Sequence, residues 1–245
     1  PILAAGDLFS LDALSAYHLL VMSLVFVLST AFASPYFRHL IEENHFDIVS
    51  ARKFGAMWLL SFSAMTLVLV SNHLGLMWVG IESTTLMTTF LICIHRSRES
   101  LEATWKYLLI CSVGIAISFM GTLLVGAAAS RLTTAEDPML WTVLSRAAPQ
   151  LEPTTAKMGF IFLLVGFGTK AGLAPMHSWL PDAHSQAPAP VSAIFSGIML
   201  NTALYCILRY VPIAEAATGN TGWSLDILAV IGILSMLVAA PFILF

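Results

Sequence analysis

Seven runs of about twenty apolar residues decide what this chain can fold into. They cover about 12–33, 53–71, 74–95, 104–129, 157–175, 190–210 and 224–244. A hydrocarbon core of about 30 Å takes roughly twenty helical residues to cross. Lipid offers no partner to an open backbone, so a spanning segment is a helix or part of a closed barrel. Barrel strands give short alternating segments, and these runs are long and continuous. Composition agrees. Hydrophobic residues make up 58% of the 245 and charged residues 10%, with mean hydropathy +0.86, whereas a soluble chain carries roughly 25% charge. The predicted fold class is an all-α polytopic membrane protein of about seven transmembrane helices, one domain over 1–245, set in a lipid bilayer. The chain opens on Pro1 and closes within an apolar run at Phe245, so a fragment of a longer membrane protein is expected.

Charge and spacing exclude several classes. A net charge of −3 offers no basic surface, so nucleic acid is not an expected partner. Cys93, Cys111 and Cys206 lie in apolar runs without Cys/His spacing and read as small buried hydrophobes. No Walker loop, dinucleotide fingerprint or nucleophile elbow occurs. Connections 34–52, 96–103 and 176–189 share one side and carry Arg38, Arg52, Arg96 and Arg98. The other side holds Arg131 and Arg146, with Arg209 at a helix end. The positive-inside rule then places the first set in the cytoplasm and the first terminus outside. The segment 130–156 reads as an external loop. Gly114, Ser118 and Thr122, and likewise Ser192 and Ser196, fall four apart, a spacing that lets membrane helices approach closely. Asp12, Glu99 and Glu102 sit near helix ends, where water reaches them, and His18 reads as a satisfied structural residue.

The informative residues are charges deep in apolar helices, where insertion near the centre costs about 2.5–3.5 kcal/mol. Glu82 lies roughly 12 Å into its helix, in "LMWVGIESTTLM", and Lys170 lies roughly 20 Å beyond Lys157, at 1.5 Å per residue. Such charges mark ion or proton paths, or else form a buried pair that fixes helix register. Lys106, in "EATWKYLL", sits nearer an end, where it is either a snorkelling anchor or a relay group. Around Lys170, Gly166, Gly168, Gly172 and Pro175 crowd one helix. Pro175 cannot donate to the carbonyl of Ala171, so a helix break is expected at Gly172 and Pro175. Interrupted helices with a charge at the break recur in ion transporters. His177 follows the break and could pass a proton; with His184 it makes a poor metal site. Ser196 and Asn201 place polar groups within the sixth helix, where they would hold water.

At "GTKAGLAPMHSWLPDAHSQAPAPVSAIFSGIMLNTALYCILRY" the chain resembles the antiporter-like, proton-conducting membrane subunits of respiratory complex I, multisubunit cation/proton antiporters and group 4 membrane-bound hydrogenases. "MWVGIESTTL" and "RSRESLEATWKYLLICSVGIAISFMGTLL" look most like the hydrogenase 4 component F branch of formate-hydrogenlyase-type complexes. The resemblance implies a fold of about fourteen helices in two inverted repeats, of which this chain would be family helices three to nine. It implies that Glu82 matches the buried glutamate of helix five, Lys170 the lysine of broken helix seven, and Lys106 the helix-six lysine. His177 falls where some members place a histidine. On helix eight, where other branches carry a lysine or histidine, this chain has Ser196 and Asn201. The resemblance also implies no cofactor in this subunit, since iron–sulfur, nickel and flavin centres belong to partners. Those partners would be other membrane-arm subunits and a peripheral redox module, in a prokaryotic inner (cytoplasmic) membrane.

The leading expectation is a proton-translocating subunit in which Glu82 and Lys170 form an ion pair that opens and closes, flanked by Lys106 and His177. The rivals are a sodium/proton antiporter component and a membrane scaffold. Sodium sites gather several oxygens, and one deep carboxylate favours protons over sodium.

Overall fold

A computed structural model describes residues 2–43, 46–95, 97–133 and 136–244; Arg96 of the expected loop charges lies outside them. Two short strands open the chain, β1 (Ile2–Ala4) and β2 (Phe9–Leu11), followed by α1 (Ala13–Glu42), α2 (Ile48–Val70), α3 (Leu74–Ile92) and α4 (Arg98–Ser130). Then come α5 (Trp141–Ala147), α6 (Pro153–Lys170), α7 (Leu180–Gln186), α8 (Ala189–Ile194), α9 (Leu200–Thr218) and α10 (Trp223–Leu244). A π-helical turn at Phe195–Met199 joins α8 to α9, so that Ala189–Thr218 runs as one long segment.

Among the described residues six helices are long and apolar enough to cross a membrane: α1 to α4, α8 with α9, and α10. The seventh expected helix is α6. It stops at Lys170 rather than 175, and its 18 residues reach about 27 Å at 1.5 Å per residue. The expected loop 34–52 is shorter than its sequence suggests, because α1 continues through Pro35 to Glu42 and α2 begins at Ile48. Loops 130–156 and 176–189 each contain a short helix, α5 and α7.

Local chemistry sets where the helices start. Asp12 accepts from the Ser15 amide at 2.9 Å, Ser97 and Ser100 form a reciprocal capping box, and Glu152 accepts from the amides of Thr154 and Thr155. Each satisfies amides that have no partner in the first helical turn. The strands form an antiparallel hairpin pairing Ile2 with Leu11, which sequence patterning did not suggest. It lies against the α2–α3 turn, where the Asn72 amide donates to Leu8 O at 2.9 Å.

Helices α4 and α6 approach closely, and the small residues explain it. A methyl built on Gly166 would lie 2.5 Å from Gly114 O, and one on Gly121 2.7 Å from Gly159 O. The spacing Gly114, Ser118, Thr122 therefore serves packing, as expected, and Thr122 adds a 3.1 Å hydrogen bond with Tyr210. Cys111 and Cys206 are buried free thiols and Cys93 is half-buried.

Candidate functional site

The site begins where α6 ends. Gly172 takes φ +73°, a left-handed conformation that glycine adopts without a Cβ clash. Its amide donates to Thr169 O at 3.3 Å and the Leu173 amide to Gly168 O at 2.9 Å. This pair of bonds is the Schellman closure of a helix C-terminus. The break is thus made by Gly172, and Pro175 follows a helix that has already stopped. Trp179, fully buried, donates its indole N–H to Thr169 O at 2.9 Å, so this freed carbonyl is satisfied within the protein.

Lys170 occupies the last turn of α6 and is 0% exposed. Its position at a helix C-terminus favours a cation. Nζ donates to Thr85 Oγ1 on α3 at 3.0 Å and to the Tyr107 hydroxyl on α4, and lies 4.6 Å from the centre of the Tyr107 ring. Tyr107 OH in turn meets Thr88 Oγ1 at 2.5 Å, and Thr88 donates to Thr84 O at 2.6 Å. Glu82 stands three residues before Thr85, on the same side of α3. Its Oε1 accepts from Ser112 at 2.8 Å, and its Oε2 is buried with no hydrogen-bond partner. The expected direct pair of Glu82 with Lys170 is therefore not formed. The two charges share a polar layer between α3, α4 and α6, each held by neutral hydroxyls.

The other expected relay residues lie elsewhere. The buried stripe of α4 runs through Tyr107, Cys111, Gly114 and Ser118, and Lys106 is turned about 100° from it. Lys106 is exposed and bonds Glu102 at 2.6 Å and Asp182 of α7 at 2.8 Å. His177 lies past the break, its Nδ1 buried and unpartnered, in a cleft of about 370 Å³ shared with Gly172 and Ser235. Ser196 and Asn201 are exposed on this chain rather than internal, and bond back to Ser192 O at 3.4 Å and Gly197 O at 2.9 Å. Asn201 shares a pocket of about 160 Å³ with His18, whose Nδ1 lies 2.9 Å from Leu14 O. Among the described residues, no group of three or more His, Cys, Asp or Glu could hold a metal ion.

Two important residues escaped the sequence. Tyr107 had a signal, because it extends the Cys111, Gly114, Ser118 stripe by one turn. Arg209 reads as a helix-end charge, yet it is 5% exposed and grips Asp12, which is an ion-pair partner rather than a wet end group. Its Nη2 reaches Asp12 Oδ1 at 2.9 Å and Ser15 Oγ at 2.5 Å, and its Nε reaches Tyr205 OH at 2.7 Å. Burial raises the pKa of Asp12, but hydrogen bonds from Arg209 and the Ser15 amide outweigh it and hold the carboxyl below its ordinary value.

Residues 71–244 match the family described as "NADH:quinone oxidoreductase/Mrp antiporter, TM". Over 237 residues the chain is 41% identical to a hydrogenase-4 component F homolog of Methylacidiphilum infernorum, covering 96% of this chain and 49% of that protein. Against hydrogenase-4 component B of Escherichia coli the identity is 29% over 234 residues, with 96% and 33% covered. Two solved structures share the fold. One is a chain of respiratory complex I from Thermus thermophilus, with TM-score 0.66 and 22% identity, covering 89% of this chain and 52% of that one. The other is a chain of the Mrp complex from a Dietzia species, with TM-score 0.65 and 23% identity, covering 86% and 36%. The chain spans about half the length of the first of these curated relatives and a third of the second.

Proposed function

This chain belongs to the NADH:quinone oxidoreductase/Mrp antiporter transmembrane family, and on that premise we propose that it is a proton-translocating membrane-arm subunit of a redox-driven complex, of the membrane-bound hydrogenase or complex I-like kind. Protons pass through Glu82 and Lys170. Redox chemistry belongs to a peripheral module, which other membrane-arm subunits connect to this one, and the subunit itself carries no cofactor. The assembly sits in the inner membrane of a prokaryote.

One observation carries this reading: a fully enclosed lysine at a broken helix, bonded to Thr85 of α3, with a carboxylate one turn before Thr85 whose second oxygen is buried and unpartnered. Breaking a buried ion pair leaves uncompensated charge, so a scaffold gains from keeping the pair closed. Here each charge has its own neutral seat. A nearby carboxylate favours the ammonium, and separation from it favours proton release. Movement of Nζ between the Thr85–Tyr107 seat and Glu82 therefore couples helix position to gain and loss of a proton.

The test is proton uptake by vesicles holding the assembled complex, with subunit content measured alongside. Lys170→Met keeps the length and apolar bulk of the side chain and removes the proton carrier. Uptake should fall by about a hundredfold or more, the scale of a lost acid–base group, with assembly unchanged. Wild-type uptake in a fully assembled Lys170→Met complex overturns the reading.

A further inference from the structure

We propose that Tyr107 is a positioning residue that seats the Lys170 ammonium away from Glu82; this rests on the proton-relay reading above and specifies how the relay is held open. Tyr107 is fully buried on α4, between the helix that carries Lys170 and the π-helical turn, with its hydroxyl also 3.6 Å from Met199 Sδ. The directions of the hydrogen bonds define its task. Thr88 gives its proton to Thr84 O at 2.6 Å, so it presents a lone pair to Tyr107. Tyr107 accordingly donates to Thr88 and presents its own lone pair to Lys170. Thr85 donates to Ile81 O at 3.4 Å and accepts from Lys170 at 3.0 Å. Both hydroxyls thus face Nζ as acceptors, with the Tyr107 ring beside them. Such a seat holds a cation without a counter-charge.

Among the described residues, the titratable groups facing Lys170 are Glu82 on α3 and Tyr107 and Cys111 on α4. Of these Glu82 is the competing partner, and its Oε2 is buried and unpartnered. Loss of the seat leaves that carboxylate as the remaining strong partner for the ammonium. Tyr107 also packs on Trp179 and Phe195 with ring centres 5.0 and 5.9 Å away, so the variant must keep the ring.

Tyr107→Phe does so, and Thr85→Val removes the other acceptor at constant shape. Each is placed in the intact complex, whose structure is determined by electron cryo-microscopy and whose proton uptake is followed against pH. Nζ of Lys170 is expected to move within hydrogen-bond reach of Glu82. Uptake should fall roughly tenfold, in keeping with loss of a hydrogen bond to a charged group, and its alkaline limb should shift to higher pH, because a paired ammonium holds its proton. A purely packing role scales the whole profile and leaves the limb in place. Lys170 remaining beside α4 with an unmoved limb, in whichever variant assembles, overturns the proposal. Failure of the relay itself reads out separately, as wild-type uptake by Lys170→Met.

Discussion

Asp12 and Arg209 stand 197 residues apart in the chain and meet in a two-pronged ion pair at the start of α1. The same carboxylate caps α1 through the Ser15 amide. Arg209 also lies 4.9 Å from the rings of Trp141 and Tyr205, and Tyr205 donates to Leu69 O at 2.9 Å. Arg209 and Tyr205 of α9 therefore together tie α1, the end of α2 and α5 to α9. The Lys170 layer lies toward the opposite ends of α3 and α4. The bundle is pinned at one end and carries its candidate moving parts nearer the other.

Asp12→Asn should destabilise the protein by about 3 kcal/mol, the low end for removing one partner of a buried pair. Arg209 would keep its charge and lose its counter-charge. The pH dependence follows from the depressed pKa of Asp12. A carboxyl whose folded pKa lies below its unfolded one contributes fully above the unfolded value, near 3.8, and that contribution disappears as pH falls through the lower folded value. Thermal unfolding in detergent should thus show the wild type losing stability on acidification below pH 4, and Asp12→Asn losing less. Parallel losses in both proteins would assign the acid sensitivity to other groups.

The helix break makes a second, local prediction. Gly172 and Gly219 both adopt positive φ, +73° and +83°. A methyl at Gly172 would also stand 3.2 Å from Leu180 Cδ2, whereas one at Gly219 meets nothing within 4 Å. Gly219→Ala should cost about 1–2 kcal/mol from backbone strain alone. Gly172→Ala should cost more, and should loosen α7 as Leu180 gives way. Thermal shifts of the two variants check this, with hydrogen exchange over residues 180–186 as the local readout. Equal shifts and unchanged exchange would remove Leu180 from the account.

Sidedness can be measured directly. Asp182 and Lys106 lie at one end of the bundle, and Glu152 and Arg131 at the other. The arginines of 34–52 and 96–103 predict that the first end is cytoplasmic. Single cysteines at Asp182 and Glu152, in a background lacking Cys93, Cys111 and Cys206, should therefore label from opposite sides of the membrane. Asp182→Cys should react in inverted vesicles and Glu152→Cys in intact cells. The reverse pattern would invert the proposed direction of transport while leaving the side-chain geometry as it stands.

The helices were legible because membrane thickness imposes a length that apolar runs reveal, and Glu82 and Lys170 because charge in such runs is rare. Their separation was not legible. Whether two deep charges touch depends on whether neutral groups offer them other seats, and Thr85, Tyr107 and Ser112 do so from three different turns of two helices. Arg209 was misread for a related reason, since its partner precedes it by almost the whole chain. Lys106 and Tyr107 show the limit of depth as a criterion. They are adjacent in sequence and equally deep, yet one is exposed and the other fully buried, and helical phase decides between them. The hairpin at residues 2–11 lacks any periodic signal, because each of its strands is three residues long, too short for alternation to show.

Glu82→Gln tests the other half of the proposed relay without disturbing its shape. The amide oxygen can keep the 2.8 Å bond from Ser112, and the new NH2 replaces an oxygen that has no hydrogen-bond partner. Insertion should be unaffected or slightly easier, since a charge within a membrane helix is removed. The complex should therefore assemble with normal subunit content and thermal stability. Lys170 would then have only the Thr85–Tyr107 seat, with no carboxylate to move toward, and proton uptake in vesicles should fall by about a hundredfold. Glu82→Asp retains the charge but draws the carboxylate back by one methylene, away from Ser112, and should restore part of the uptake. A structural carboxylate predicts a different pattern, with assembly or stability lost in Glu82→Gln in proportion to uptake. Normal uptake by fully assembled Glu82→Gln would leave Lys170 without its proposed partner and shift the proton path to groups outside this pair.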